Sequence, residues 1–100
     1  MAKEFDIAPL NRDFESRVRL GIMSVLMVNG WISFLEMKQM LDLSDGNLAS
    51  HALQLEQKGY LEVRKAFVGK KTETSYRITP FGNVSFKKHV DALEQLLKSE

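Results

Sequence analysis

The chain has 100 residues, enough for one domain built around a single core. Hydrophobic residues make up 44% and charged residues 27%, a balance that excludes a disordered or fibrous chain. The formal net charge is +1 and there is no cysteine, so bulk charge does not mark a nucleic-acid binder, and disulfide, cysteine–zinc and thiol chemistry are excluded. No apolar run reaches the roughly 18 residues of a membrane span. The start, Met1-Ala2-Lys3-Glu4-Phe5-Asp6, lacks the apolar stretch of a secretory signal. The expectation is a soluble cytoplasmic, nucleoid-associated protein.

Residues 1–13 read as an arm, with Phe5, Ile7 and Leu10 around Pro9. Three apolar residues in a tail argue that the arm packs somewhere. Residues 14–100 read as the domain. Ser16 is an N-cap ahead of a helix over 16–28, and Asn29-Gly30 ends it. Its apolar residues cover more than one face, which predicts burial on two sides. Trp31-Ile32 is a short extended piece. Ser33-Phe34-Leu35-Glu36 is a capping box opening a helix over 34–41. After Asp42-Leu43, Ser44 caps a third helix over 45–58, with Leu48, Ala52 and Leu55 as its buried stripe and Gly59 as its terminator.

The apolar period then changes from 3.6 to 2. Leu61, Val63 and Lys65 share one face of a strand, and Tyr60, Glu62 and Arg64 share the other. Gly69-Lys70-Lys71 is a turn tip. Thr72, Thr74, Tyr76 and Ile78 line one face of the returning strand, so 60–78 is a β-hairpin. Thr79-Pro80 opens a last helix over 80–97, in which Phe86, Val90, Leu93 and Leu97 form a heptad-spaced seam. The fold class is α+β, mostly α: a winged helix-turn-helix with a small three-stranded sheet and a C-terminal dimerisation helix.

A helix of that size fits a B-DNA major groove roughly 12 Å wide. The buried stripe of the third helix leaves Asn47, Ser50, His51 and Gln54 as candidates for base contact. Ser33 and Ser44 cap helix N-termini whose N–H groups suit phosphates. From Gly59 to Thr79 there are five basic residues (Arg64, Lys65, Lys70, Lys71, Arg77) and two acidic ones (Glu62, Glu73), a net +3 that leaves −2 for the rest. Lys38, Lys58, Lys70, Lys71 and Arg77 join Ser33 and Ser44 as candidates for backbone contact.

The stretch Leu43-Ser44-Asp45-Gly46-Asn47-Leu48-Ala49-Ser50-His51, with Leu55-Glu56 and Gly59-Tyr60, resembles the recognition helix of small winged-helix regulators of the MarR/ArsR type. Arg19-Leu20-Gly21-Ile22-Met23 and Tyr76-Arg77-Ile78-Thr79-Pro80-Phe81-Gly82 are similar to the compact bacterial and archaeal members of about 100 residues. The resemblance spans roughly 10–97. It implies a homodimeric transcriptional regulator of double-stranded DNA, with the recognition helix in the major groove and the wing on the flanking backbone or minor groove. Leu53 and Glu73 depart from the pattern, since relatives carry polar or basic residues there.

Leu20, Met27, Phe86, Val90, Leu93 and Leu97 are the candidate dimer interface. His89, Asp91 and Glu94 read as a solvated face and not as a metal site, because positions 89 and 91 lie about 200° apart on a helix. The methionines read as core filling. No cofactor and no catalytic set is expected, so the chain is not read as an enzyme. The competing class is a winged-helix protein-interaction module, which near-neutral charge and Leu53 would suit.

Overall fold

Two side-chain caps, one an amide and one a hydroxyl, open the first two helical elements. The structure is a computed structural model that describes residues 4–98, so the first three residues of the expected arm and the last two of the expected domain lie outside it. Asn11 accepts at its side chain from the Asp13 N–H and opens a 3-10 turn, Arg12–Phe14. Ser16 caps α1, Arg17–Val28, by accepting from the Arg19 N–H. Then follow β1 (Ile32–Ser33), α2 (Phe34–Leu41), α3 (Asp45–Gln57), β2 (Leu61–Val68), β3 (Lys71–Ile78) and α4 (Pro80–Leu97). The helix ends are those written in the sequence: a complete capping box at Ser33 and Glu36, and Thr79 capping the Gly82 N–H ahead of Pro80.

The sheet is antiparallel in the order β1-β3-β2, which makes it three-stranded as expected. Leu61 pairs with Ile78 and Val68 with Lys71, so the loop is only Gly69-Lys70, one residue shorter than the 69–71 tip read from the sequence. Gly69 takes φ +66°, the conformation that a tight two-residue turn needs at its first position. The core is formed by Phe14, Ile22, Met23, Leu26, Met37, Leu48, Leu55 and their neighbours from every helix and from the base of the sheet.

Two expectations change. The boundary drawn after residue 13 falls inside the 3-10 turn, and Phe14 is among the most buried residues of the chain. Its ring lies 4.8 Å from Tyr60, 5.3 Å from Phe86 and 5.6 Å from the His89 ring. The remainder of the arm packs only in part: Leu10 is half-buried, whereas Phe5 and Ile7 are exposed.

The second change concerns α4. Its buried residues are Gly82, Phe86, His89 and Ala92, one face of the helix. Val90 and Leu97 of the predicted seam point outward instead, and Leu93 is half-buried. Two anchors set this rotation. Gly82 lies so close to β2 that a Cβ there would sit 2.2 Å from the Tyr60 carbonyl oxygen. Phe86 fills the space beside Phe14. With those two fixed, helical spacing turns His89 inward.

His89 is therefore not part of a solvated face. Only 3% of it is exposed, and its Nδ1 accepts from the Asn11 N–H at 2.9 Å. Burial holds its pKa below the ordinary 6.5, against a smaller opposing pull from Glu15. The unfolded chain therefore binds this proton more readily, so stability is full above pH 6.5 and falls as pH drops below it. Urea midpoints at pH 7.5 and 5.5 should show that loss in the wild type. His89→Gln, which keeps an acceptor without a charge change, should flatten it.

Candidate nucleic-acid interface

The short turn between α2 and α3 sets the geometry of the candidate surface. Asp42 ends α2 in the left-handed region, φ 51°, which Asp tolerates better than most residues. Its N–H and that of Leu43 close on Gln39 and Lys38 carbonyls, and Ser44 then accepts from the Asn47 N–H to start α3. Leu48, Ala52 and Leu55 pin α3 to the core. At about 100° per residue, Gly46, Ser50, Leu53 and Gln57 then face most directly outward. Asn47 and Gln54 lie on one flank and Ala49 on the other, all exposed.

Of the four candidate base-reading residues, Asn47, Ser50 and Gln54 are thus exposed together. His51 differs. It is half-buried at the edge against α1, where its Nδ1 accepts from Arg19 Nε at 3.0 Å. In its neutral form the ring then carries its proton on Nε2. Gln57 is a further outward position, not among the sequence candidates, that the helical spacing from Leu48, Ala52 and Leu55 also places on this face.

The candidate backbone contacts divide sharply. Ser33 is buried, with its hydroxyl accepting from the Glu36 N–H and its own N–H donating to the Glu36 carboxylate, and burial closes it to a phosphate. Ser44 is exposed, and its hydroxyl accepts from the Asn47 N–H while its O–H stays free to donate. Lys38 bridges to Asp45 at 2.8 Å, tying α2 to the first turn of α3. Lys58 is held by Asp13, away from the outward face. Arg77 pairs with its cross-strand partner Glu62 at 2.6 Å and covers the Trp31 ring at 4.7 Å. Arg64 covers the same ring at 4.3 Å. Lys70 and Lys71 are exposed at the tip, as expected. Ion pairs take up Lys38, Lys58, Arg77 and Lys98, and the unpaired cations among the described residues include Arg64, Lys65, Lys70 and Lys71 on the outer hairpin and Arg12, Arg17, Arg19, Lys87 and Lys88 elsewhere.

The dimer candidates also divide. Phe86 is core, since it is 3% exposed against Phe14, and Met27 packs partly on the core. Leu20, Val90 and Leu97 are exposed, and Leu93 lines a shallow apolar groove with Leu10, Leu20 and His89.

The architecture and its neighbours agree. The model of the winged helix DNA-binding domain matches residues 18–97. The chain belongs to the winged helix DNA-binding domain family. An uncharacterized protein of Methanocaldococcus jannaschii is 35% identical over 86 residues, which cover 86% of this chain and 94% of that one. A transcriptional regulator homologue from Pyrococcus horikoshii has a solved structure with TM-score 0.81 and 31% identity, covering 87% of this chain and 86% of its own. The solved structure of NadR with 4-hydroxyphenylacetate shares the fold, with TM-score 0.72 and 14% identity, and covers 95% of this chain and 78% of its own. A putative transcriptional regulator from Salmonella typhimurium also has a solved structure that matches, with TM-score 0.69 and 27% identity, covering 86% of this chain and 77% of its own. In this winged helix, α3 occupies the position termed the recognition helix and β2–β3 form the wing. Among the described residues no helix is long and apolar enough to cross a membrane, and no cluster of His, Asp and Glu could hold a metal ion.

The recognition helix is braced from behind by the 3-10 turn. Asp13 accepts from Lys58 and, at 2.6 Å, from the Tyr60 hydroxyl, while Arg19 donates to the Asp13 carbonyl and to His51. The Lys58 and Tyr60 bonds hold the Asp13 carboxyl below its ordinary pKa. That stabilisation is present above the usual carboxylate range and is lost as pH falls through the lowered value. Asp13→Asn should therefore lower stability by about 1 kcal/mol at pH 7, a figure reduced for partial exposure. The gap to the wild type should close below about pH 4. Urea melts of both proteins, compared pH by pH, cancel the His89 contribution and read this one alone.

Proposed function

We propose that the protein is a dimeric, sequence-specific DNA-binding transcriptional regulator. The observation that carries this reading is the outward face of α3. Small residues (Gly46, Ala49, Ser50) let the helix backbone come close to base edges. Asn47 and Gln54 are exposed beside them, and such amide side chains pair with adenine in two hydrogen bonds. The wing supplies the charge for the flanking phosphates. Self-association through Leu20, Val90, Leu93 and Leu97 is supported by the exposure of Leu20, Val90 and Leu97 on α1 and α4, with Leu93 half-buried beside them. Phe5 and Ile7, also exposed, lie in the arm that runs beside α4 through Asp6, Pro9 and Ala92.

Fluorescence anisotropy tests the reading. The probes are duplex DNA from upstream of the protein's own coding region and a scrambled duplex, each at two salt concentrations. Sequence-dependent binding that weakens with salt is expected. Asn47→Ala with Gln54→Ala should weaken the specific complex by about 1–3 kcal/mol per lost contact and leave scrambled binding unchanged. Unchanged affinity of the double variant for the specific duplex, with an unaltered preference over the scrambled one, would remove α3 from the reading role. The mass in solution should be twice the 11.4 kDa of the chain, and Val90→Glu with Leu97→Glu should halve it.

A second reading, a winged-helix protein-interaction module, draws on Leu53, which is 53% exposed at the centre of the α3 face. Retention of a protein partner by the wild type, lost in Leu53→Lys and accompanied by no DNA binding at low salt, would favour it.

A further inference from the structure

The exposed side of α3 has two unlike edges. Asn47 and Gln54, two turns apart on one line, form an amide edge. Gly46, Ala49 and Leu53, spaced three and four, form an apolar edge on the other side. Ser50 and Gln57 lie between them. Among the large apolar residues of α3, Leu53 alone is exposed, at 53%, since Leu48 and Leu55 are in the core. A single exposed leucine is ordinary on a protein surface. This one extends a row of small apolar residues within the face that Asn47 and Gln54 share.

No charged side chain belongs to that face. Asp45 pairs with Lys38, and Glu56 turns toward the sheet, where its charge acts on Tyr76. His51 is turned aside to Arg19. Guanine is read in the major groove by arginine or lysine at O6 and N7, and cytosine by a carboxylate that accepts from N4. The outward face of α3 offers neither group. An A·T pair asks for what it does offer. Across the groove floor such a pair presents N7 and N6 of adenine, then O4 and the methyl group of thymine. An amide matches the first two, a hydroxyl the third and an apolar side chain the last. The same order (amide edge, Ser50, apolar edge) runs across α3. A helix about 10–12 Å across fills a groove about 12 Å wide, so the two edges are engaged together.

We propose that α3 reads an A·T-rich sequence, with Leu53 as the residue that selects thymine by packing on its methyl group. Ala49 adds a second, smaller contact along the same edge, and Asn47 and Gln54 hold adenine. This rests on the DNA-binding reading above and names the bases that the helix selects. Selection at Leu53 depends on burying a methyl group and not on charge, so it persists at salt concentrations that weaken phosphate contacts.

The test uses the full chain and the upstream duplex named above, made with thymine or with deoxyuridine throughout. The exchange removes methyl groups and keeps every base pair. The wild type should bind the thymine duplex about fourfold more tightly for each methyl contacted, at both salt concentrations. Leu53→Ala should lose most of that preference, and Leu53→Met should keep it. Leu53 is exposed, so the urea midpoint of Leu53→Ala should match that of the wild type. A change in duplex shape on losing the methyl groups weakens both proteins alike, so the ratio between the two isolates Leu53. Equal binding of the two duplexes by the wild type overturns the inference, as does a thymine preference that Leu53→Ala retains in full. Sequence-dependent binding in either case leaves the DNA reading standing. Absence of sequence-dependent binding at low salt overturns the DNA reading and this inference together. Retention of a protein partner that Leu53→Lys loses then assigns Leu53 to the interaction module.

Discussion

The structure depends on one ring. Phe14 sits where the arm, the end of α3 and α4 meet, in contact with Tyr60, Phe86 and His89. Burying a side chain of this size contributes about 1.5–3 kcal/mol. Its position matters as much as its area. The 3-10 turn that presents Phe14 also presents Asp13, which holds Lys58 and Tyr60, and Asn11, which donates to His89. One three-residue turn thus fixes both the recognition helix and the C-terminal helix. Remove the ring and the polar contacts on either side of it lose the packing that orients them.

This arrangement places the reading helix on a rigid base while leaving its outward face free of bonds. Arg19 reaches from α1 to the Asp13 carbonyl and to His51, so α3 is braced at its middle as well as at its end. The ordering entropy of the helix is met by folding and not by ligand binding, and a preorganised face binds at lower cost.

Charge is distributed to match. The recognition helix carries little of it, and the nearby Lys38 and Lys58 are committed to Asp45 and Asp13. Four unpaired cations, Arg64, Lys65, Lys70 and Lys71, lie together on the wing. In the DNA-binding reading proposed above, the wing supplies the salt-dependent part of binding and α3 the sequence-dependent part. A net charge of +1 conceals this division, because pairing silences charges that a count includes.

Local signals made the elements legible in the sequence. Ser16, Ser33, Ser44 and Thr79 are caps, Gly59 and Gly69 sit at positive φ, and the change of period at Tyr60 marks the hairpin. Each acts within about four residues, a range that pattern reading resolves. The outward set Asn47, Ser50 and Gln54 followed from the stripe Leu48, Ala52 and Leu55 for the same reason. What the sequence did not determine was set by contacts between residues far apart in the chain. The rotation of α4 was decided by Gly82 against the Tyr60 backbone, which turned His89 inward and Val90 outward. The burial of Ser33 and the pairing of Lys58 with Asp13 were likewise decided by residues distant in the chain. A helix has several faces that satisfy its own periodicity equally well, and only the neighbour it packs against selects one.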